Sequence, residues 1–126
     1  MSKPNRKEPN ENPSLRYLEL SNGATGFKND SDKPRVDLLP SIPLLGVARV
    51  LGMGARKYSA HNWRGGIQFS RLYAAALRHL LAFNDGEDLD RESGLNHLDH
   101  ALCELMFLRE LFETRKDLDD RYKRVV

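Results

Sequence analysis

Apolar residues recur at helical spacing in three segments of the chain, and no stretch shows a convincing alternation of apolar and polar positions. The first segment begins at Ser41, whose hydroxyl can cap a helix, and Pro43 is tolerated in a first helical turn. Gly46, Gly52 and Gly54 lower the helical propensity, which suggests that another element packs closely against this backbone. The expected buried stripe consists of Leu44, Val47, Ala48, Leu51 and Ala55.

Two more helices are predicted after a break over residues 57–66, which contains a pair of glycines. Ser70 is predicted to cap a second helix over residues 71–83. An acidic loop follows, and Asp90 is predicted to cap the third and longest helix over residues 91–115. The pattern therefore predicts an all-α fold, a small bundle of three to four helices. The expected core residues of the third helix are Leu95, Leu98, Leu102, Leu105 and Phe112.

The first part of the chain has a different composition. Residues 1–32 hold three prolines and many polar residues whose charges largely cancel, so they bury too little apolar surface to offset their ordering entropy. We expect a flexible or extended N-terminal arm, followed by one helical domain over residues 33–126. Because three helices make a thin core for a domain of this size, we expect a homodimer or higher homo-oligomer to complete it.

Composition and charge narrow the class of protein. Hydrophobic residues make up 40% of the chain and charged residues 30%, without an apolar run of membrane-spanning length or a signal peptide, so we expect a cytoplasmic protein that does not contact membranes. The one cysteine, Cys103, excludes an internal disulfide and is expected to be a packed residue. The net charge of +2 is not concentrated in a basic stripe, so we expect a small anion, and not a nucleic acid, as the partner.

Histidines stand out on two of the predicted helices. His97, His100 and Glu104 fall within one narrow sector of the third helix, and apolar residues share that sector. Two histidines and a carboxylate on an inward face are costly to bury unless they are hydrogen-bonded or hold a ligand. His79 lies on an apolar face of the second helix, where a lone histidine is usually a satisfied core residue. We expect the two faces to meet in one polar site.

The acidic loop has two interpretations. Glu87, Asp88 and Glu92 could hold a hard divalent ion through oxygen ligands and leave room for phosphates. Alternatively, the loop is solvated and its acids favour the start of the following helix.

The break after the first helix combines cations, aromatic rings and an amide in a glycine-flanked loop. A nucleobase can stack on an aromatic ring there, while Lys or Arg pairs with phosphate. In the alternative interpretation the tryptophan anchors the loop in the core. The residues concerned are Lys57, Tyr58, Asn62, Trp63 and Arg64.

Six motifs in order resemble the small phage-associated domain family named for dATP/dGTP diphosphohydrolase, and the resemblance covers residues 33–112. The motifs are Lys33–Pro40, Gly54–Tyr58, Asn62–Arg64, Ala76–Leu80, Gly86–Asp90 and Glu92–Ala101. This domain is placed near the all-α nucleotide pyrophosphohydrolases of the MazG type, which hold magnesium on two helices through Glu-x-x-Glu and Glu-x-x-Asp. In this chain Arg78 and His79 stand at the first of these motifs and His97 and His100 at the second. Histidines suit transition metals or direct phosphate contact, so the resemblance supports the fold more firmly than the mechanism.

The resemblance implies an enzyme that handles a nucleotide. It would release pyrophosphate from a (deoxy)nucleoside triphosphate with Mg²⁺ or Mn²⁺, in the host cytoplasm if phage-encoded. Cations would neutralise the phosphates, and His79, His97 or His100 would orient water or take its proton. Two alternatives are a phage-type protein that sequesters a nucleotide or nucleotide signal without turnover, and a structural helical adaptor. The expected nucleotide-binding residues are Lys57, Tyr58, Asn62, Trp63, Arg64 and Arg78, and the expected metal ligands are Glu87, Asp88, Glu92 and Glu104.

Overall fold

The computed structural model describes residues 23–123, and these fall into two units divided between Leu38 and Leu39. In the first unit, residues 23–38 are exposed and form turns, ending in the 3-10 helix Val36–Leu38. Most of the predicted arm, residues 1–22, lies outside the described residues.

The second unit contains three α-helices. They are α1 (Ser41–Lys57), α2 (Phe69–Asn84) and α3 (His97–Thr114). Short 3-10 helices follow α1 and α3, and within residues 23–123 the extended pairing is limited to one isolated antiparallel bridge between Leu89 and Asn96. The predicted all-α fold with three helices is therefore confirmed. In this part of the chain, none of the helices has both the length and the apolar composition to cross a membrane.

Helix α3 is the centre of the unit because both other helices pack on it. On one side, Val47 and Val50 of α1 form a small apolar cluster with Cys103 of α3. On the other side, α2 packs along α3, and Phe69, Leu72 and Leu111 form a second cluster. Burial raises the pKa of the Cys103 thiol to about 12, as suits the packed residue that the sequence predicted.

The predicted apolar core of the third helix was wrong for four of its five residues, while the fifth, Leu95, packs partly buried against the α1 cluster. Leu98, Leu102, Leu105 and Phe112 are all between 37% and 43% exposed. The buried residues of α3 are instead those of the histidine-bearing sector, which faces α2, together with Cys103, which faces α1. Helix α3 has a neighbour on two sides, and Leu98, Leu102 and Leu105 lie on the third side, which neither helix covers. In α1 the buried stripe is likewise shifted, since Val47 and Val50 are buried while Leu44 is 49% exposed.

The predicted start of the third helix was also wrong. The helix begins six residues later than expected, and its cap is Asn96, whose side-chain oxygen accepts from the Leu98 N–H at 2.7 Å. The preceding residues form a loop, held by the Leu89–Asn96 bridge and by a turn at Gly94 with φ of 75°. This positive φ is a conformation that glycine adopts at little cost, and it interrupts a helical path.

The predicted cap of the second helix was wrong too, because α2 begins at Phe69 and Ser70 already lies in its first turn. The Ser70 N–H donates to one oxygen of Asp120 at 2.8 Å, and the Ser70 hydroxyl donates to the other at 2.5 Å. The C-terminal segment therefore satisfies the start of α2 from outside the helix.

The close approach expected at the glycines of α1 occurs at one of them. A Cβ at Gly46 would collide with the carboxylate of Asp99 on α3, whereas nothing lies within 4 Å of the corresponding position at Gly54. The approaching group is a side chain and not, as expected, a second backbone.

Candidate functional site

Three imidazole rings meet between α2 and α3. The Nδ1 atoms of His79 and His97 are 2.9 Å apart, and the rings of His79 and His100 stack with centroids 4.4 Å apart and an angle of 6° between their planes. The helical sector predicted from the sequence brings His97 and His100 to the inner side of α3, and His79 faces them from α2. Both α3 histidines are buried, at 3% and 6% exposed.

The outer nitrogen of His97 is held by an acid from the preceding loop. His97 Nε2 lies 2.7 Å from Glu87 Oε1, and the pKa of Glu87 is held below its usual value by this hydrogen bond and by one from Arg91. An ionised carboxylate only accepts hydrogen bonds, so His97 Nε2 carries the proton and donates. When Nε2 holds the single proton of the ring, the Nδ1 atom of His97 presents a lone pair to His79.

The loop over residues 85–96 brings two further polar side chains to the rings. One oxygen of Asp90 accepts from the backbone N–H groups of Glu92 at 3.1 Å and Ser93 at 2.8 Å. Asp90 therefore closes a tight turn, and not the start of a helix as the sequence predicts. The hydroxyl of Ser93 lies 2.7 Å from His100 Nε2 and accepts from the Leu95 N–H at 3.1 Å. Backbone and side-chain hydrogen bonds of one tight turn therefore fix Asp90 and Ser93 beside the cluster.

The electrostatics of the cluster favour neutral rings beside an ionised acid. Burial lowers the pKa of His79, and repulsion from His100 adds to this effect. Burial also lowers the pKa of His100, against the attraction of Asp90. Burial alone would raise the pKa of Asp90, but the hydrogen bonds of Ser93 and the nearby imidazoles outweigh it and leave that pKa below its usual value. At neutral pH, His79 and His100 are therefore uncharged, and one ring nitrogen of each can accept a proton or bind an ion.

A cleft of about 490 Å³ opens between α1 and the turn that carries Ser93. Arg49 and Arg56 lie seven residues apart on one face of α1, and both line this cleft. The guanidinium of Arg56 reaches the Gly52 position, where a Cβ would lie 3.7 Å from it, an ordinary contact distance. Ser93 lines the cleft and contacts His100, so the cleft adjoins the histidine cluster.

Other predicted site residues lie at the edge of the cluster. The charge of Arg78 contributes to the lowered pKa of His79. Burial raises the pKa of Glu104, which lies one helical turn beyond His100, and the charge of Arg78 acts against this increase. Glu92 is exposed and lies 3.4 Å from the Lys57 ammonium, which ties the end of α1 to the loop. The Asp88 side chain is exposed, and its backbone carbonyl accepts from the His97 N–H. The four predicted metal ligands, Glu87, Asp88, Glu92 and Glu104, are therefore not brought to one point.

The ring of Trp63, in the loop after α1, packs against α3. Trp63 stacks on Phe107 with centroids 4.5 Å apart, and the guanidinium of Arg64 covers the ring at 4.4 Å. Both faces of Trp63 are thus occupied, which favours the alternative interpretation of a loop anchor. Tyr58, 64% exposed, leaves its ring accessible, and Asn62 is also exposed.

Four residues of this region were missed by the sequence interpretation: Asp90, Ser93, Arg49 and Arg56. The sequence predicts Asp90 as a helix cap, because the loop that contains it has no periodic signal to distinguish it from the start of the helix. The spacing of the two arginines around Gly52 was the available sign of a cationic face. Among the described residues, His79, Asp90 and His97 place one potential ligand atom each within 4.8 Å of one another.

Fold and site together define an all-α protein that joins histidines from two helices to an acidic loop, beside a cleft with two arginines. The chain belongs to the family described as "dATP/dGTP diphosphohydrolase, N-terminal", whose model matches residues 23–121. The resemblance stated from the six motifs is therefore confirmed.

A similar protein is a "dATP/dGTP diphosphohydrolase" of Salmonella phage PMBT28, 40% identical over 97 residues. The match covers 77% of this chain, but the chain spans only about 33% of the relative's length. No solved structure matches this chain.

Proposed function

We propose that this chain binds a purine deoxynucleoside triphosphate and hydrolyses it to the monophosphate and pyrophosphate. Family membership and the name of the phage relative support a nucleotide hydrolase. The observation that carries the proposal is the cluster of His79, His97 and His100 beside the arginine-lined cleft. A phage relative makes the host cytoplasm the compartment in which such a protein would meet its substrate.

Phosphate binding is assigned to the cleft. Arg49 and Arg56 can each offer two parallel N–H donors to phosphate oxygens, and the cleft volume suits a ligand of nucleotide size. Lys57 and Arg78, predicted phosphate contacts, lie at the edge of the histidine cluster and add positive charge there. For the base, Tyr58 offers an exposed ring and Asn62 an exposed amide, whereas Trp63 is already covered on both faces.

The chemistry assigned to the cluster is the activation of water. The oxygen of water attacks the α-phosphorus, the bond from this phosphorus to the bridging oxygen breaks, and pyrophosphate leaves with the bond's electron pair. The proton released by water passes to a neutral imidazole. His100 is the favoured acceptor, because its pKa is lowered by burial and its Nε2 atom contacts Ser93 at the cleft. The arginines neutralise charge on the phosphates as the bond breaks.

A divalent ion belongs to this proposal, since phosphoryl transfer generally uses one. The four-carboxylate pattern expected for Mg²⁺ does not fit, because Glu87, Asp88, Glu92 and Glu104 are dispersed. No step is therefore assigned to Mg²⁺ at those residues.

One observation favours a second candidate function, a nucleotide-binding module without turnover. The carboxylates predicted as metal ligands are dispersed, whereas the two arginines of the cleft can bind an anion without a metal. The same cleft and histidines would then serve as anion contacts and sequester a nucleotide or nucleotide signal.

The test incubates the purified chain with each deoxynucleoside triphosphate and with Mg²⁺, Mn²⁺ or Zn²⁺. Pyrophosphate and inorganic phosphate are assayed separately, and thermal stability is measured in parallel. Release of pyrophosphate from dATP or dGTP supports the hydrolase. A nucleotide that raises Tm without product supports the sequestering module, because a ligand that binds only the folded state stabilises it. If no nucleotide binds, both functions are contradicted and the structural adaptor remains.

A further inference from the structure

We propose that His79, His97 and Asp90 form a binding site for one divalent transition-metal ion. A ring nitrogen from α2, another from α3 and a carboxylate oxygen from the loop lie within 4.8 Å of one another. These are two nitrogen ligands and one oxygen ligand, a donor set found in catalytic metal centres. The site differs from the four carboxylates expected from the sequence.

The closest pair of atoms in the cluster needs a positive charge or a proton between them. When His97 carries a single proton, which Nε2 donates to Glu87, its Nδ1 atom presents a lone pair to His79 Nδ1 at 2.9 Å. Two lone pairs at this distance repel, so without an ion the second ring must donate its own proton. A tetrahedral ion bound at about 2.0–2.1 Å from each nitrogen separates the two by about 3.3 Å. An ion therefore fits with a small outward rotation of the rings.

The surroundings of the rings match those of known metal-bound histidines. A metal-ligating imidazole usually donates its other N–H to a carboxylate, which fixes its tautomer and raises its basicity. Glu87 makes this contact with His97 at 2.7 Å. His100, stacked on His79 and bonded to Ser93, holds the second ring in place from the other side.

The ligand types select the class of ion. Mg²⁺ prefers six oxygen ligands in a near-octahedral arrangement, whereas imidazole suits Zn²⁺, Co²⁺ or Fe²⁺. Asp90 supplies the one anionic ligand, so one net positive charge remains on a bound dication and can attract phosphate. Three protein ligands leave coordination positions open for water and for a phosphate oxygen.

The catalytic use of such an ion depends on the proposed function, but the binding of the ion does not. The measurement is made on the full chain without an affinity tag, after removal of metal by a chelator. Zn²⁺ binding is measured by equilibrium dialysis with elemental analysis, and Co²⁺ is followed by its visible absorption. We expect one equivalent per chain and no displacement by excess Mg²⁺.

Two conservative variants remove ligands while keeping size and hydrogen bonding. His79→Gln and Asp90→Asn are each expected to lower Zn²⁺ affinity by more than tenfold, because both replacement amides are poor ligands for this ion. Even the loss of a residue that only hydrogen-bonds to a ligand typically lowers metal affinity by about 10–100-fold. Matched controls are His61→Asn, on the loop before Asn62, and Asp85→Asn, at the end of α2; both should bind as the parent chain does.

A third variant, Glu87→Gln, is expected to change metal affinity through its contact with His97. Glu87→Gln keeps all three ligands but weakens the contact to His97, and we expect about a tenfold loss of affinity with an altered Co²⁺ spectrum. Circular dichroism checks that every variant is folded. Should His79→Gln unfold, Glu87→Gln still tests the assignment, since its effect requires a metal on the far nitrogen of His97.

Several results would overturn the metal site: no Zn²⁺ or Co²⁺ bound, unchanged affinity in the ligand variants, or displacement by Mg²⁺. Metal binding without nucleotide hydrolysis would leave the site intact and contradict the proposed hydrolase. Hydrolysis by the metal-free chain, or with Mg²⁺ alone, would support the hydrolase and contradict a catalytic use of the ion at this site.

Discussion

Gly46 lies where the carboxylate of Asp99 leaves no space for a Cβ, although both residues belong to ordinary stretches of helix. This close approach places α1 against the first turn of α3, one residue before His100. A residue without a side chain is thus needed at one point of the interface that supports the site.

Gly46→Ala is expected to destabilise the protein by about 1–3 kcal/mol, because the new methyl group displaces the Asp99 carboxylate from its place against α1. Gly54→Ala is the matched control: it lies in the same helix in open space and should stabilise by about 0.4–1 kcal/mol. Chemical denaturation of both variants measures the two effects. A Gly46→Ala protein as stable as Gly54→Ala would contradict the described packing.

At the scale of elements, the short loop before α3 organises the site. Its bridge, the turn at Gly94 and the cap at Asn96 together set where α3 begins, and therefore which way His97 and His100 point. A helix that started at residue 91 would have Asp90 as a cap. The later start places Asp90 beside the rings.

Asn96→Ala is expected to lower stability by about 1 kcal/mol, since the N–H of Leu98 loses its side-chain acceptor. Asn96→Asp should remain close to the parent protein, because aspartate caps a helix about as well as asparagine. Thermal or denaturant unfolding distinguishes the two. Equal stability of the alanine and aspartate variants would show that the cap contributes nothing.

The stability that Asp120 gives to the start of α2 is expected to depend on pH. Hydrogen bonds from the Ser70 hydroxyl and N–H hold the pKa of Asp120 below its usual value, against repulsion from Asp119. A carboxyl whose pKa is lowered by folding contributes stability above its unfolded pKa of about 3.9 and loses it as the pH falls through the folded pKa. Asp120→Ala should therefore be less stable than the parent at pH 7, with a difference that shrinks in acid.

Denaturant unfolding of Asp120→Ala and the parent chain from pH 7 down to pH 3 measures this difference. Asp85→Asn, at the opposite end of α2, serves as the control and should not be destabilised, because a negative charge is unfavourable at a helix C-terminus. A stability difference that stays constant or grows in acid would contradict the capping role of Asp120.

How far the sequence predicts this molecule depends on the kind of signal each part carries. Helical spacing correctly indicated three helices and put His97 and His100 on an inward face, because periodicity reports faces directly. It misplaced the apolar core of α3, since Leu98 and Leu102 look like core residues by type alone. The position of Asp90 beside the rings depends on a non-periodic turn, and the covering of Trp63 by Phe107 and Arg64 depends on tertiary packing, so neither could be predicted from spacing.

At the scale of the whole molecule, the described helices leave apolar faces uncovered. Leu98, Leu102 and Leu105 form a stripe along α3, and Tyr73 of α2 lines a groove that continues from Leu105 to Phe112. A small domain with a thin core gains most from covering such a face with a second copy. We therefore propose, as expected from the sequence, that the chain forms a homo-oligomer.

Light scattering coupled to size exclusion at micromolar concentration should give at least a dimer. The double variant Leu102→Gln/Leu105→Gln should shift the mass towards the monomer, while Arg91→Gln, at an exposed loop residue, should not. A monomeric parent chain would contradict this proposal without affecting the histidine cluster.

The most direct test of the central claim is the initial rate of pyrophosphate release from dATP and dGTP by the parent chain, His100→Gln and His61→Asn. The account predicts that His100→Gln loses about 10²–10⁴-fold in rate, as for removal of a general base, while His61→Asn matches the parent. Equal rates for the two histidine variants, or no pyrophosphate from the parent chain under any metal condition, would contradict it.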